Sequence, residues 1–128
     1  MRDYGLGFPE DGLYAKTDWI DRHAKTALAV RRATLAGWEY ARDHPEEALD
    51  IVLAEARRAK LPSNRSHERW MLRHIVDSIF VPDESAEQVG TFSLSEFQAS
   101  AQALRNAGLL KKTPVFSRFA PFEKERAQ

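Results

Sequence analysis

The stretch Arg32-Ala33-Thr34-Leu35-Ala36-Gly37-Trp38-Glu39-Tyr40-Ala41-Arg42-Asp43-His44-Pro45-Glu46-Glu47-Ala48 decides the fold. Up to Asp43 it contains no helix breaker. At His44 the following proline ring pushes the backbone out of the α region. Pro45 then suits the first position of a new helix, where its missing N–H would have no partner anyway. Glu46 and Glu47 follow at the positive end of the helix dipole. Two helices meeting at a sharp corner predict a mostly α chain.

Working outward from that corner, the upstream helix is expected over about 18–43. Ile20, Ala24, Ala27, Leu28, Trp38 and Ala41 recur at near-helical spacing, Thr17 is the candidate cap, and Asp18 and Asp21 fall in the first turn. Before it, Gly5, Gly7, Pro9 and Gly12 read as a loop that ends in a short strand at Leu13, Tyr14 and Ala15. Downstream of the corner, Ala48, Leu49, Val52, Leu53 and Ala56 form a buried stripe, Arg57, Arg58 and Lys60 favour the helix end, and Leu61 and Pro62 stop it. Ser63 or Asn64 caps a third helix with Met71, Leu72, Ile75, Val76 and Ile79 on its apolar face, up to Pro82. A polar connection leads to Ser93, which with Glu96 makes a capping box before Phe97, Ala101 and Leu104. Gly108 stands where a left-handed residue ends a helix, and Leu109 is placed for the accompanying apolar contact. Val115, Phe116, Phe119 and Phe122 read as an extended aromatic strip. The expected organisation is therefore a loop and strand over 1–16, four main helices over 17–110 and a tail over 111–128.

Composition bounds the rest. A chain of 128 residues with 43% hydrophobic and 30% charged residues fits one domain with a real core. Lys plus Arg and Asp plus Glu both number 19, so no net positive field gathers phosphates, and nucleic acid is not an expected partner. No run of about 18 apolar residues is present, and Met1 to Gly12 has neither the basic nor the apolar region of a signal peptide, so neither membrane insertion nor a leader is expected. The absence of cysteine removes disulfides, thiolate metal sites and a cysteine nucleophile, and it leaves the compartment open.

Glu10-Asp11-Gly12-Leu13-Tyr14-Ala15, the Arg32–Ala41 run, His44-Pro45-Glu46-Glu47-Ala48 and the late Gly108-Leu109-Leu110 together resemble the NMT1/THI5-like solute-binding proteins. The resemblance runs in order over about 110 residues and is most specific in the middle block. It implies a C-terminal piece of a two-lobed α/β periplasmic binding protein fold, outside the cytoplasm, with pyrimidine precursors of thiamine as one ligand class. Most of both sheets would lie elsewhere. Pro62 to Leu72 looks more like the versions fused to sensor histidine kinases than like those serving ABC transporters. The enzymatic members use an iron-binding cysteine cluster, and with no Cys here that activity is not carried over.

Within that frame, Tyr4, Phe8 and Tyr14 are the candidate ligand-stacking rings, and Glu10 and Asp11 the candidate acceptors for an amino-pyrimidine. Core packing is the alternative for Tyr14. Ala33, Gly37 and Ala41 strip one helix face of bulk, which fits a close helix crossing or a dimer face, since Gly37 costs about 1 kcal/mol against Ala in a helix interior. No catalytic constellation, cofactor or metal site is expected. His67 and His74 share a helix face but stand about 10 Å apart, too far to bind one zinc. His23 and His44 are placed at helix ends. Asp18 with Asp21, and Glu46 with Glu47, read as first-turn acids before they read as an acid/base pair. Gly5-Leu6-Gly7 reads as a turn. Arg57, Arg58, Lys60, Arg65, Arg69 and Arg73 form either a solvated face or a dock for an anion or acidic partner. The leading expectation is small-solute binding within a longer protein, and the alternative is a helical module that associates into a homodimer.

Overall fold

The computed structural model describes residues 12–81 and 89–123. Five helices occur among them: α1 (Thr17–Asp43), α2 (Pro45–Arg58), α3 (Arg65–Ile79), α4 (Leu94–Asn106) and the single turn α5 (Phe116–Phe119). The chain divides into two compact units, His23–Gly90, and Met1–Arg22 with Thr91–Gln128. One boundary falls inside α1, at His23, whose backbone (φ −131°, ψ 32°) leaves the helical region. His23 thus stands at a break between two helical stretches of the span Thr17–Asp43.

In the unit His23–Gly90, Ala27, Leu28, Arg31, Thr34, Leu35, Trp38 and Ala41 are half-buried along one stripe of α1. The corner forms where Pro45 demands it. His44 is the N-cap of α2 without a side-chain cap bond, and its ring stacks on Tyr40 at 4.4 Å. The Tyr40 hydroxyl reaches across the corner and donates to Glu47. α2 packs on α3, and Leu49, 1% exposed, is the one fully buried large side chain among the described residues. Burying a leucine stabilises by about 2 kcal/mol, and Leu49 is the side chain of this unit to which the full figure applies.

α2 ends in a Schellman turn. Lys60 N–H donates to the Arg57 carbonyl at 3.1 Å and Leu61 N–H to the Ala56 carbonyl at 2.9 Å, with Lys60 itself left-handed at φ 56°. The stop therefore comes at Lys60, one residue before the expected Leu61 and Pro62. The connection then runs back along α2, because Arg65 at the start of α3 meets Glu46 and Asp50 in the first half of α2. Of the two candidate caps, Asn64 serves: its side chain accepts from His67 N–H at 2.9 Å. At the far end of the unit, Gly90 is left-handed (φ +67°) and lies against Leu35, and its carbonyl accepts from Arg31 Nη2 at 3.1 Å.

In the other unit, α4 opens on the expected capping box. Glu96 N–H donates to Ser93 Oγ at 3.2 Å, and Ser93 N–H donates to Glu96 Oε2 at 2.8 Å. Gly108 (φ +72°) closes it in a second Schellman turn, with Leu109 N–H on the Leu104 carbonyl at 2.9 Å. Leu109 is 76% exposed, so the apolar contact expected of it buries little. Phe97, Ala101 and Phe116 form the core, with Phe92 and Phe119 completing a ring cluster at centroid distances of 5.3 to 6.4 Å.

Three expectations are corrected. Residues 12–16 form no strand and are exposed; an extended segment needs a neighbour for its N–H and C=O groups, and none pairs with it among the described residues. Thr17 is the first helical residue and not the cap, since Lys16 supplies the carbonyl that accepts from Trp19 and Ile20 N–H at 3.0 Å. The tail is not an extended strip: Phe116 and Phe119 are three residues apart, and one helical turn brings both rings to Phe97.

Candidate functional site

Tyr4, Phe8, Glu10 and Asp11 lie outside the described residues. Tyr14, the fifth candidate, is 80% exposed, so its ring is not part of a core. On α1, Ala33 and Gly37 are exposed and Ala41 is half-buried. A Cβ added at Gly37 would meet nothing within 4 Å, so no helix of this chain crosses there among the described residues.

Four of the six residues in the basic cluster are paired. Arg69 is bidentate on Glu46, with Nη2 to Oε1 at 2.9 Å and to Oε2 at 3.0 Å. Arg65 Nη1 reaches the same carboxylate at 2.9 Å and its Nη2 donates to Asp50. Asp50, followed by Glu46, holds the Arg65 guanidinium above its usual pKa. Arg58 pairs with Glu55, and Arg73 stands 4.0 Å from Asp77. The solvated-face reading thus becomes a set of exposed ion pairs, each of the kind worth less than about 1 kcal/mol. Glu46 and Asp50 could not be recognised as partners from sequence, because they lie 19 and 15 residues from Arg65.

Three of the four acids in the candidate carboxylate pairs have structural partners too. Asp18 takes Arg22 Nη2 at 3.0 Å, Glu46 bridges α2 to α3, and Glu47 accepts from Tyr40. That bond to Glu47 raises the Tyr40 pKa above its usual 10.0, since the donated proton is held. Beside it, Arg42 donates to Asp43 at 2.8 Å, which lowers the Asp43 pKa, while its guanidinium lies 4.5 Å from the Phe80 ring centroid. His67 and His74 share a face of α3 with Trp70 between them, at centroid distances of 6.4 and 4.5 Å. No group of three or more His, Asp or Glu side chains among the described residues is placed to hold a metal.

Two grooves mark the surface of the unit His23–Gly90. One, of about 450 Å³, lies between the second half of α2 and its exit, walled by Ile51, Val52, Ala56, Leu61 and Pro62, with Glu55 and Glu68 at its edge. The other, of about 290 Å³, lies where the end of α1 and the start of α2 meet α3, lined by Ala41, Pro45, Leu72 and Val76 together with Arg42 and Arg73. The first was not foreseen from sequence. Val52, expected in the buried stripe, is 45% exposed, because α2 turns only its Leu49 and Leu53 side inward.

Residues 1–48 match the model of the family described as NMT1/THI5 like. The match supports a fragment of an NMT1/THI5-like protein and contains the Arg32–Ala48 block, while Pro62–Leu72 and Gly108–Leu110 lie beyond it. No curated protein matches the chain, and no solved structure does. Among the described residues, no helix is long and apolar enough to cross a membrane.

Proposed function

We propose that the chain serves small-solute binding, as the C-terminal part of a longer two-lobed NMT1/THI5-like protein whose ligand is a thiamine-type pyrimidine precursor. The observation that carries this reading is the family match over residues 1–48, the same segment that holds Tyr4, Phe8, Glu10, Asp11 and Tyr14. Flat rings stack on a pyrimidine, and carboxylates accept from its amino group. The exposed ring of Tyr14 is free of a core role that would compete with this one. Binding without turnover is the activity proposed. The family is generally extracytoplasmic, which favours the same side of the membrane here, in the service of an ABC transporter or of a sensor histidine kinase.

The test is a thermal-shift screen of the complete protein against thiamine and its pyrimidine precursors, with Tyr14→Ala alongside. Stabilisation that the variant weakens is expected. No stabilisation by any of these compounds would sink the ligand class. A second reading, homodimerisation through Ala33, Gly37 and Ala41, draws on the open space over Gly37. Light scattering at two concentrations tests it, and a strict monomer at both removes it.

A further inference from the structure

We propose that the groove at the end of α2 binds a small organic cation, an apolar body carrying an ammonium group, with the Glu68 carboxylate as its counter-ion. The inference is independent of the solute-binding reading above. Its volume of about 450 Å³ falls within the range of small-molecule clefts, which are mostly apolar with a few placed polar groups. Ile51, Val52, Leu61 and Pro62 supply the apolar wall. Three of these side chains, Ile51, Val52 and Leu61, are left between 45% and 63% exposed, so the apolar area is there to be covered.

Charge decides what covers it. Of the two acids at the edge, Glu55 is already held by Arg58. Glu68 is half-buried, and its carboxylate makes no hydrogen bond or ion pair within the described residues. On the same helix, Arg65 is committed to Glu46 and Asp50 and Arg69 to Glu46. A carboxylate beside an apolar wall loses part of its hydration, and a cation placed against it recovers that loss in a medium of lowered dielectric. A neutral ligand would leave Glu68 unanswered, and an anion would be repelled.

The experiment uses the 128-residue chain and three probes of one shape, n-hexylammonium, n-hexanol and hexanoate, followed by ¹H–¹⁵N NMR. Hexylammonium is expected to shift the amides of Ile51, Val52, Leu61 and Glu68 and to bind at least fivefold more weakly to Glu68→Gln. Hexanol is expected to bind weakly and equally to both forms, and hexanoate not at all. Val52→Trp, which fills the groove with a neutral side chain while leaving Glu68 in place, gives an independent loss if Glu68→Gln misfolds. Equal binding of the three probes overturns the proposal, as does hexylammonium binding that neither variant weakens. Shifts of the same amides on simple dilution would assign the groove to a second copy. Tenfold tighter binding of a lysine-flanked apolar peptide would assign it to a protein partner. Either result overturns the proposal.

Discussion

Gly90→Ala tests the packing of the unit His23–Gly90 at its tightest point. A Cβ there would sit 2.5 Å from Leu35 Cδ2 and 3.3 Å from Cδ1, on a backbone whose φ of +67° an L side chain rarely adopts. The left-handed conformation costs about 1 kcal/mol for a residue with a Cβ. Forcing a methyl into occupied space costs about 1–3 kcal/mol, and the low end applies because the atoms in the way are the ends of a rotatable leucine. The loss of unfolded-chain entropy returns about 0.5 kcal/mol. The sum is a destabilisation of about 1.5 kcal/mol. Urea unfolding read by tryptophan fluorescence in a Trp19→Phe background measures it, since Trp38 and Trp70 then report on the unit that contains Gly90. Repeating the substitution in a Leu35→Ala background separates the two causes: the clash disappears, the φ penalty and the entropy return stay, and the cost falls to about 0.5 kcal/mol. A cost below about 0.5 kcal/mol in the parent chain, or an equal cost in both backgrounds, refutes the reasoning.

Lys60→Gly is expected to stabilise the chain by about 0.5 kcal/mol, because the left-handed residue of the Schellman turn then has no Cβ to strain. Lys60→Ala should be close to neutral, and denaturant midpoints of the two variants decide. Phe116→Ala empties the centre of the ring cluster and should cost about 3 kcal/mol with loss of near-UV circular dichroism; an unchanged spectrum would mean that the rings are not packed as described. Tyr40 is expected to titrate above pH 10 by NMR and to move back toward 10 in Glu47→Gln. Because its folded pKa is raised, the stability this hydroxyl contributes is complete below pH 10 and is lost as pH rises through the folded value. Alkaline unfolding should therefore come earlier than in Tyr40→Phe relative to each protein's stability at pH 8.

The elements marked by backbone chemistry were legible in the sequence. Proline at a first helical position, the serine and glutamate of a capping box and the glycine of a Schellman turn each act within a few residues, so Pro45, Ser93 with Glu96, and Gly108 could be placed without knowing the tertiary structure. What failed depended on distant partners or on exceptions. Leu13 to Ala15 has strand composition but no neighbour to pair with among the described residues. Lys60 takes a conformation that a sequence reader assigns to glycine. The one-turn helix at Phe116 is shorter than any window in which a period can be recognised. Gly37 invited a close helix contact that this chain does not make among the described residues. The site was less legible than the fold. Of the predicted ligand residues only Tyr14 falls among the described residues, and the groove beside Glu68 exists only because the connection after α2 doubles back, which no local signal encodes.

That doubling back has a consequence for proteolysis. Arg57, Arg58 and Lys60 give a trypsin-like protease three cleavage points within four residues of an exposed surface, yet two lie in the last turn of α2 and the third is held by the paired backbone bonds of its cap. A protease needs extended chain, so cutting must wait until this end of α2 opens. When opening and closing are fast against cleavage, the rate of cutting at these three bonds measures the population of that open state. A trypsin time course that follows the fragments ending at Arg57, Arg58 and Lys60 would then read the local stability of one helix end, apart from cuts at the exposed non-helical Lys16, Lys111 and Lys112.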